Sequence, residues 1–289
     1  MSKKIISILI ALVFVLGLIS CTKTDKKPGT LPPVTTVGLP QGEELSTSYE
    51  SEGFAVSIYE TYSEITAYKG EDTEIAVPDA FMGIPVKSIA EYAFFGNATI
   101  TKITLPDSLL VIGKSAFQDC TALTEVVLGS NLEHISQAAF RDSALERINL
   151  PDTVAEIDRY AFYRTRITEI KLPSSLSSVQ KYVFYGCERL SKVDFCPRIE
   201  RIAEYAFSAC SSLSEVVIPD RTEIISDYAF SECTSLTKIF VPKKTGFGDN
   251  PFHASNEVTI YSPSKSKAQE LAKKYGYSYE ACASANKMP

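Results

Sequence analysis

Apolar residues recur along the chain with a period of 22 or 23 residues, which is much longer than the period of a single helix or strand. Eight phenylalanines mark this period, and they stand at Phe94, Phe117, Phe140, Phe162, Phe184, Phe207, Phe230 and Phe252. A unit of this length cannot bury its own apolar positions and becomes stable only when neighbouring copies stack. The pattern therefore predicts a solenoid, with Phe as the plug of each coil.

Each unit also contains a short segment that is typical of a β-strand. In LERINLPDTVAEIDRYAF, which starts at Leu145, apolar and polar residues alternate before a proline, as expected for a strand with one buried face. A second apolar pair, Val154 and Ile157, follows before Phe162. The unit that ends at Phe252 lacks this second pair, so we expect an irregular coil there.

The repeated motif combines Ala-Phe, a Cys three residues later, and Leu-x-x-Ile-x-Leu-Pro. It resembles the leucine-rich-repeat family, and within it the BspA-like class found on bacterial surfaces, from about residue 49 to about residue 282. Two units depart from the motif, because Val183 and Pro251 replace the alanine before Phe. The resemblance implies a solenoid of short parallel strands joined by turns or 3-10 segments, and a role in adhesion.

The two ends of the repeat array differ from its middle. Residues 49–85 are strand-like and resemble the N-terminal cap of the family, and the repeats occupy residues 86–256. Residues 257–289 predict a C-terminal cap and tail with a strand, a helix at about 264–275 and a last strand at about 277–280. Gly276 stands where a helix stop is expected.

The N-terminus has the features of an export signal. Lys3 and Lys4 precede an apolar stretch that extends to Ser20 and is too short for a confident membrane span. Leu18–Cys21 resembles the lipobox of bacterial lipoproteins, which implies cleavage after residue 20 and lipid attachment at Cys21; the alternative is an ordinary cleavable signal. Residues 21–48 predict a disordered tether. We therefore expect an exported protein, lipid-anchored to the bacterial cell envelope and surface-exposed.

Charge and motifs exclude several function classes. The chain has 29 basic and 35 acidic residues, whereas nucleic-acid binding needs a basic stripe. There is no phosphate-binding glycine loop or nucleophile elbow, and two histidines without a CxxC pair argue against a metal site. We expect a monomeric non-enzyme without cofactors that contacts the membrane only through its lipid.

One position of the strand motif alternates in charge from unit to unit. Its residues are Lys102, Glu125, Arg147, Glu169, Lys192, Glu215 and Lys238. Stacked strands lie about 4.8 Å apart, and opposite charges facing each other across strands are stabilising. We predict a structural ladder of ion pairs; a polar binding floor is the alternative.

Cysteines occupy the position three residues after Phe in four units, at Cys120, Cys187, Cys210 and Cys233. Small and weakly polar residues fill this position in the other units. Neighbouring coils could bring two thiols within reach of a disulfide, but proximity alone does not supply the required dihedral angle. We predict buried free thiols, with disulfides as the alternative.

Two rows of residues are candidates for binding. The first is a stripe two residues before Phe, formed by Tyr160, Tyr182, Tyr205 and Tyr228, although mutual stacking over the turns is an alternative. The second is a varied row beside the charge ladder that includes Asn149, Lys171, Asp194 and Phe240. We predict a surface adhesin that engages an extracellular protein or glycan; the alternative is a non-adhesive scaffold or spacer of the envelope.

Overall fold

The computed structural model describes residues 43–255 and 257–287. The predicted signal peptide, Cys21 and most of the tether lie outside these residues. The described chain forms a β-solenoid of about nine turns with little helix, as the repeat pattern predicts.

Six strands form the N-terminal end of the stack. They are β1 (Thr47–Ser51), β2 (Phe54–Ile58), β3 (Ser63–Tyr68), β4 (Glu74–Ala76), β5 (Ala80–Phe81) and β6 (Ile84–Ile89). Strands β1, β2 and β3 pair antiparallel, whereas β3 pairs in parallel with β6. The antiparallel strands therefore cover one end of the core and give the first coil a parallel neighbour.

The predicted strand motif forms the first strand of each coil. These strands are β7 (Lys102–Thr104), β9 (Glu125–Val127), β11 (Arg147–Ile148), β13 (Glu169–Lys171), β15 (Lys192–Asp194), β17 (Glu215–Val217) and β19 (Lys238–Phe240). They pair in parallel in three groups, β4-β7-β9-β11, β13-β15 and β17-β19. In β7, β13 and β17 the central residue is buried, so the flanking residues form rows on the outer face.

Each coil also contains a second, two-residue strand, which the sequence pattern did not predict; where the second apolar pair is present, the strand ends at the second residue of that pair. These strands are β8 (Val111–Ile112), β10 (His134–Ile135), β12 (Glu156–Ile157), β14 (Ser178–Val179), β16 (Arg201–Ile202), β18 (Ile224–Ile225) and β20 (Gly246–Phe247). The expectation of an irregular last coil is wrong here, because β20 pairs with β18. The buried Thr245 hydroxyl donates to the Thr222 carbonyl at 2.8 Å and holds this coil in register.

The phenylalanines form one continuous column through the core. All of them from Phe94 to Phe252 are buried, and consecutive rings stack with centroids 4.8 to 6.1 Å apart. The turn around each Phe also depends on the next coil: the Phe184 amide donates to the Ala206 carbonyl at 2.9 Å. Side chains and backbone of one coil are therefore satisfied by its neighbour.

The C-terminal end contains β21 (Thr259–Ser262), α1 (Lys267–Tyr275), β22 (Ser278–Ala281) and a 3-10 turn (Ala285–Lys287). Strand β22 pairs in parallel with β21, which itself pairs with β19. The Ser266 side chain accepts a hydrogen bond from the Gln269 amide, and Gly276 ends the helix with φ 80°. The predicted helix and last strand are confirmed. No helix within residues 43–255 and 257–287 is long and apolar enough to cross a membrane.

Removing one ring from the Phe column tests how much the stack depends on it. We predict that Phe184→Ala lowers the free energy of unfolding by about 3 to 5 kcal/mol, because it leaves a cavity between two rings. Urea denaturation followed by circular dichroism measures the loss. The exposed Glu188→Ala in the same coil is the control and should change stability by less than about 0.5 kcal/mol. Similar losses for the two variants would contradict the role of the column.

Candidate functional site

The tyrosine stripe lies along the turns that precede the Phe column. Tyr160, Tyr182 and Tyr205 stack with ring centroids 5.0 Å apart and interplanar angles of 6° and 4°, and Tyr205 stacks on Tyr228 at 5.2 Å. All four side chains are half-buried, and burial raises the pKa of Tyr182 and Tyr205. The ring faces cover one another, so this geometry corresponds to the stacking alternative and leaves ring edges for a ligand.

A second tyrosine pair was missed by the sequence interpretation. Tyr163 and Tyr185 stand one residue after a column Phe and stack at 5.0 Å beside the first stripe. The guanidinium carbons of Arg141 and Arg164 lie 5.2 and 5.5 Å from the Tyr163 ring centroid, within cation–π range. The recurrence of Tyr after Phe in two successive units was the available signal.

The charge ladder is formed in the N-terminal half of the row. Glu125 lies between Lys102 and Arg147, with N to O distances of 3.0 and 2.8 Å. Hydrogen bonds hold the pKa of Glu125 below its usual range, and the bond from Arg147 contributes more than the bond from Lys102. These three charges therefore bind the first coils of the stack to one another.

The second half of the charge row keeps the register but not the same pairing. Glu169 faces Lys192, and Glu215 faces Lys238, as partners in paired strands. The Lys192 ammonium instead lies 2.9 Å from Asp194 of its own strand. The row is also interrupted where β11 and β13 belong to different sheets. The predicted ladder is therefore not continuous, because it breaks between β11 and β13 and Lys192 pairs within its own strand.

The varied strand row is mostly open to solvent. Val127, Asn149, Lys171 and Asp194 are exposed, and Val217 is 42 % exposed. Placing Phe240 in this open row is wrong, because its side chain is only 4 % exposed. It packs with Tyr261, Cys282 and Ala285, since the C-terminal segment folds back over the strand face.

An open groove of about 1150 Å³ lies on this strand face, beside the segment that covers Phe240. Its apolar surface comes from Phe195, Val217 and the prolines that follow the strands, Pro219 and Pro242, and residues 283–286 form one wall. Charged side chains border it at Lys192, Asp194, Glu215, Asp220, Arg221, Lys243 and Lys244. The groove thus brings Asp194 and Phe240 of the predicted row together with Lys192 and Glu215 of the charge row. Asn149 and Lys171 lie outside it, and the sequence interpretation did not select the prolines or residues 283–286.

A metal site requires several His, Cys, Asp or Glu side chains close together as ligands. Residues 43–255 and 257–287 contain no group of three or more His, Cys, Asp or Glu side chains that could hold a metal ion. His134, one of the two histidines, lies 3.0 Å from Asp158 on the adjacent coil.

The family model for the BspA type leucine-rich-repeat region matches the chain in six copies, over residues 73–166 and 155–274. The chain belongs to the BspA-type leucine-rich-repeat family. Members of this family are typically bacterial cell-surface proteins, and leucine-rich-repeat solenoids are typically non-enzymatic. The resemblance inferred from the Ala-Phe and Leu-Pro motifs is confirmed.

Solved structures of bacterial leucine-rich-repeat proteins are similar to this BspA-type chain. A T. pallidum leucine-rich-repeat protein is 25% identical, with a TM-score of 0.56 over 82% of this chain and 100% of the other. A Bacteroides ovatus leucine-rich-repeat protein is 19% identical, with a TM-score of 0.56 over 76% of this chain and 70% of the other. None of the curated proteins compared with the chain matches it.

The cysteines of the BspA-type repeat serve the coils themselves. The six cysteines among the described residues are free and buried. The Cys187 thiol donates to the Phe162 carbonyl at 3.1 Å, and Cys210 donates to Phe184 at 3.2 Å. Burial raises the pKa of Cys187 to about 12. The prediction of buried free thiols is confirmed, and their role is to satisfy turn carbonyls.

The pairing of Glu125 predicts a pH-dependent contribution to stability. The folded-state pKa of Glu125 is lowered from about 4.5, so its contribution is present above that pH and is lost as pH falls through the folded pKa. We predict that Glu125→Gln lowers the urea midpoint at pH 7 but not at low pH, where both chains carry a neutral side chain. Glu169→Gln is the matched control and should show a smaller difference at pH 7. Equal pH profiles for the two variants would contradict the assignment.

Proposed function

We propose that this protein is a lipid-anchored binding protein of the bacterial cell surface, an adhesin that engages an extracellular protein or glycan through the strand face of its solenoid. The observation that carries the proposal is the open groove of about 1150 Å³ beside the exposed Val217. Membership of a family whose members are typically cell-surface proteins supports the location. Engagement by this surface requires no catalytic step, metal or other cofactor.

The shape of the groove favours a large ligand. Small-molecule pockets enclose most of their ligand and usually have volumes of about 300 to 1000 Å³. This groove is open along one side, and its floor is built on short strands that hydrogen bonds between coils hold in place. A rigid, exposed and partly apolar surface fits a segment of a polymer or protein and does not need reorganisation on binding.

The anchor in this proposal is the thiol of Cys21, which follows Leu18-Ile19-Ser20 at the end of the predicted signal. Several acyl chains give firm membrane attachment where one chain gives marginal attachment. Display of many copies on one cell would strengthen modest individual contacts through avidity. Incorporation of labelled fatty acid into the wild-type chain but not into Cys21→Ser tests the anchor.

A binding panel on cells tests the function. Cells that display the full chain are compared with cells that lack it for attachment to immobilised matrix proteins and glycans. We predict attachment that Val217→Trp weakens at least tenfold, because the larger ring fills the groove. Val127→Trp is the matched control, since Val127 is 39 % exposed at the same repeat position outside the groove, and it should stay within twofold of wild type. Equal attachment by both variants and by wild type would contradict a groove site.

The alternative of a non-adhesive scaffold or spacer has its own support. The tyrosine faces and the Glu125 charge are occupied within the stack and do not call for a ligand. Protease treatment of intact cells separates the two functions, because a surface adhesin is released whereas an internal scaffold is retained. The scaffold is favoured if the cells attach to no member of the panel and the protein is retained on the cell after protease treatment.

A further inference from the structure

A column of positive charge borders the groove on an otherwise acidic chain. Arg198, Arg221 and Lys244 are exposed, and each directly precedes a buried residue that is hydrogen-bonded to a neighbouring coil. The Thr222 hydroxyl donates to the Ile199 carbonyl at 2.9 Å, and the Thr245 hydroxyl donates to the Thr222 carbonyl at 2.8 Å. The three cations therefore occupy one repeat position on three successive coils, about 4.8 Å apart.

The same position is uncharged in the coils that lie away from the groove, where it holds Ser108, Asn131, Thr153 and Ser175. Ser108 donates to the Val86 carbonyl at 2.8 Å, and Thr153 donates to the Leu132 carbonyl at 2.7 Å. Those side chains satisfy backbone groups within the stack. Cations replace these residues only in the coils that border the groove. There the hydrogen bonds to backbone carbonyls come from the following threonines, Thr222 and Thr245.

The stack gains no stability from these cations. The three cations lie in turns of successive coils, and like charges at short distance repel one another. Throughout residues 43–255 and 257–287, none of Arg198, Arg221 and Lys244 takes part in an ion pair, whereas Lys192 is neutralised by Asp194. Lys243 adds a fourth positive charge to this edge, against the acidic Asp220 and Glu215. An anionic ligand would relieve the repulsion along the column.

We propose that the groove binds a linear anionic glycan that carries carboxylate or sulfate groups and lies along the solenoid axis. Its charged groups would meet Arg221 and Lys244, with Arg198 extending the contact to the preceding coil. Its sugar rings would lie on the apolar floor at Val217, Phe195 and Pro219. This inference rests on the proposed binding function and names its ligand class.

The floor favours a glycan over an acidic peptide. Peptides commonly bind to sheets by adding a strand to an open edge. Strand β15 pairs with β13, and β19 pairs on both sides with β17 and β21, so only the edges that β15 and β17 turn toward each other lie outside a ladder. Most of the floor therefore presents side chains. A ligand held by charge and by flat apolar contact suits such a surface better than one held through its main chain.

The test measures binding of the purified full chain in detergent to four polymers in about 0.15 M salt, near physiological ionic strength. Polygalacturonate carries carboxylates, dextran sulfate carries sulfates, dextran is neutral and poly-L-glutamate represents an acidic peptide. Arg221→Ser with Lys244→Ser restores the residue type found in other coils. Arg159→Ser with Arg166→Ser removes the same charge from exposed positions outside the groove.

We expect the wild-type chain to bind at least one of the two anionic glycans, with no binding to dextran. The groove double variant should bind at least tenfold more weakly, and the control double variant should stay within twofold of wild type. Unchanged circular dichroism and urea midpoints show that both variants are folded. Binding to the carboxylated glycan or to the sulfated glycan then identifies the anionic group that the site recognises.

Several results would overturn the inference. Equal weakening of both double variants would mean general charge attraction, and equally tight binding of poly-L-glutamate would indicate an acidic peptide. Binding of neutral dextran or of a matrix protein that Val217→Trp abolishes, without binding of either anionic glycan, would overturn the ligand class and leave the proposed function standing. No Val217-dependent binding of any ligand would overturn both.

Discussion

Each coil of this solenoid is stable only because it stacks on the next coil. A unit of 22 or 23 residues contributes one Phe, a few aliphatic side chains and two very short strands, too little to form a core alone. The Phe rings stack in a continuous column, and turn amides such as that of Phe184 donate to the following coil. Packing and hydrogen bonding therefore act along the same axis.

This constraint turns every repeat position into a row, and the rows divide by what they contact. Inward rows hold Phe, small residues or thiols, because these fit the column and satisfy turn carbonyls. Some outward rows are occupied by the stack as well: tyrosine rings cover each other, and Glu125 is held between two cations. A row that changes character marks a candidate ligand site, as happens between Ser175 and Arg198.

Much of the fold could be predicted from the sequence because repetition amplifies a weak signal. The Phe period indicates the solenoid, and the apolar spacing before Gly276 indicates the terminal helix. The second strand of each coil was not predictable, since a two-residue strand such as Glu156–Ile157 is too short to show an alternation. Its pairing exists because the first strand and the Phe turn already bring the coils into register.

The candidate site was harder to predict for a different reason. Repeat alignment placed Phe240 on the outer strand face, but its burial depends on residues 282–285 returning from beyond the helix. The groove likewise combines Asp194, Val217 and the C-terminal segment, which lie far apart in the chain. Tyrosine positions were evident from the alignment, whereas the orientation of their rings depends on the neighbouring rings. Long-range contacts of this kind leave no local pattern.

Hydrogen exchange of the Phe amides tests most directly the central claim that each coil is held by the next. We expect peptides containing Phe140, Phe162 and Phe184 to exchange on the order of a thousand times more slowly than an unstructured chain, because these amides donate across coils. Protection should be highest in the middle of the stack. Exchange at the rate of an open surface turn would contradict the account.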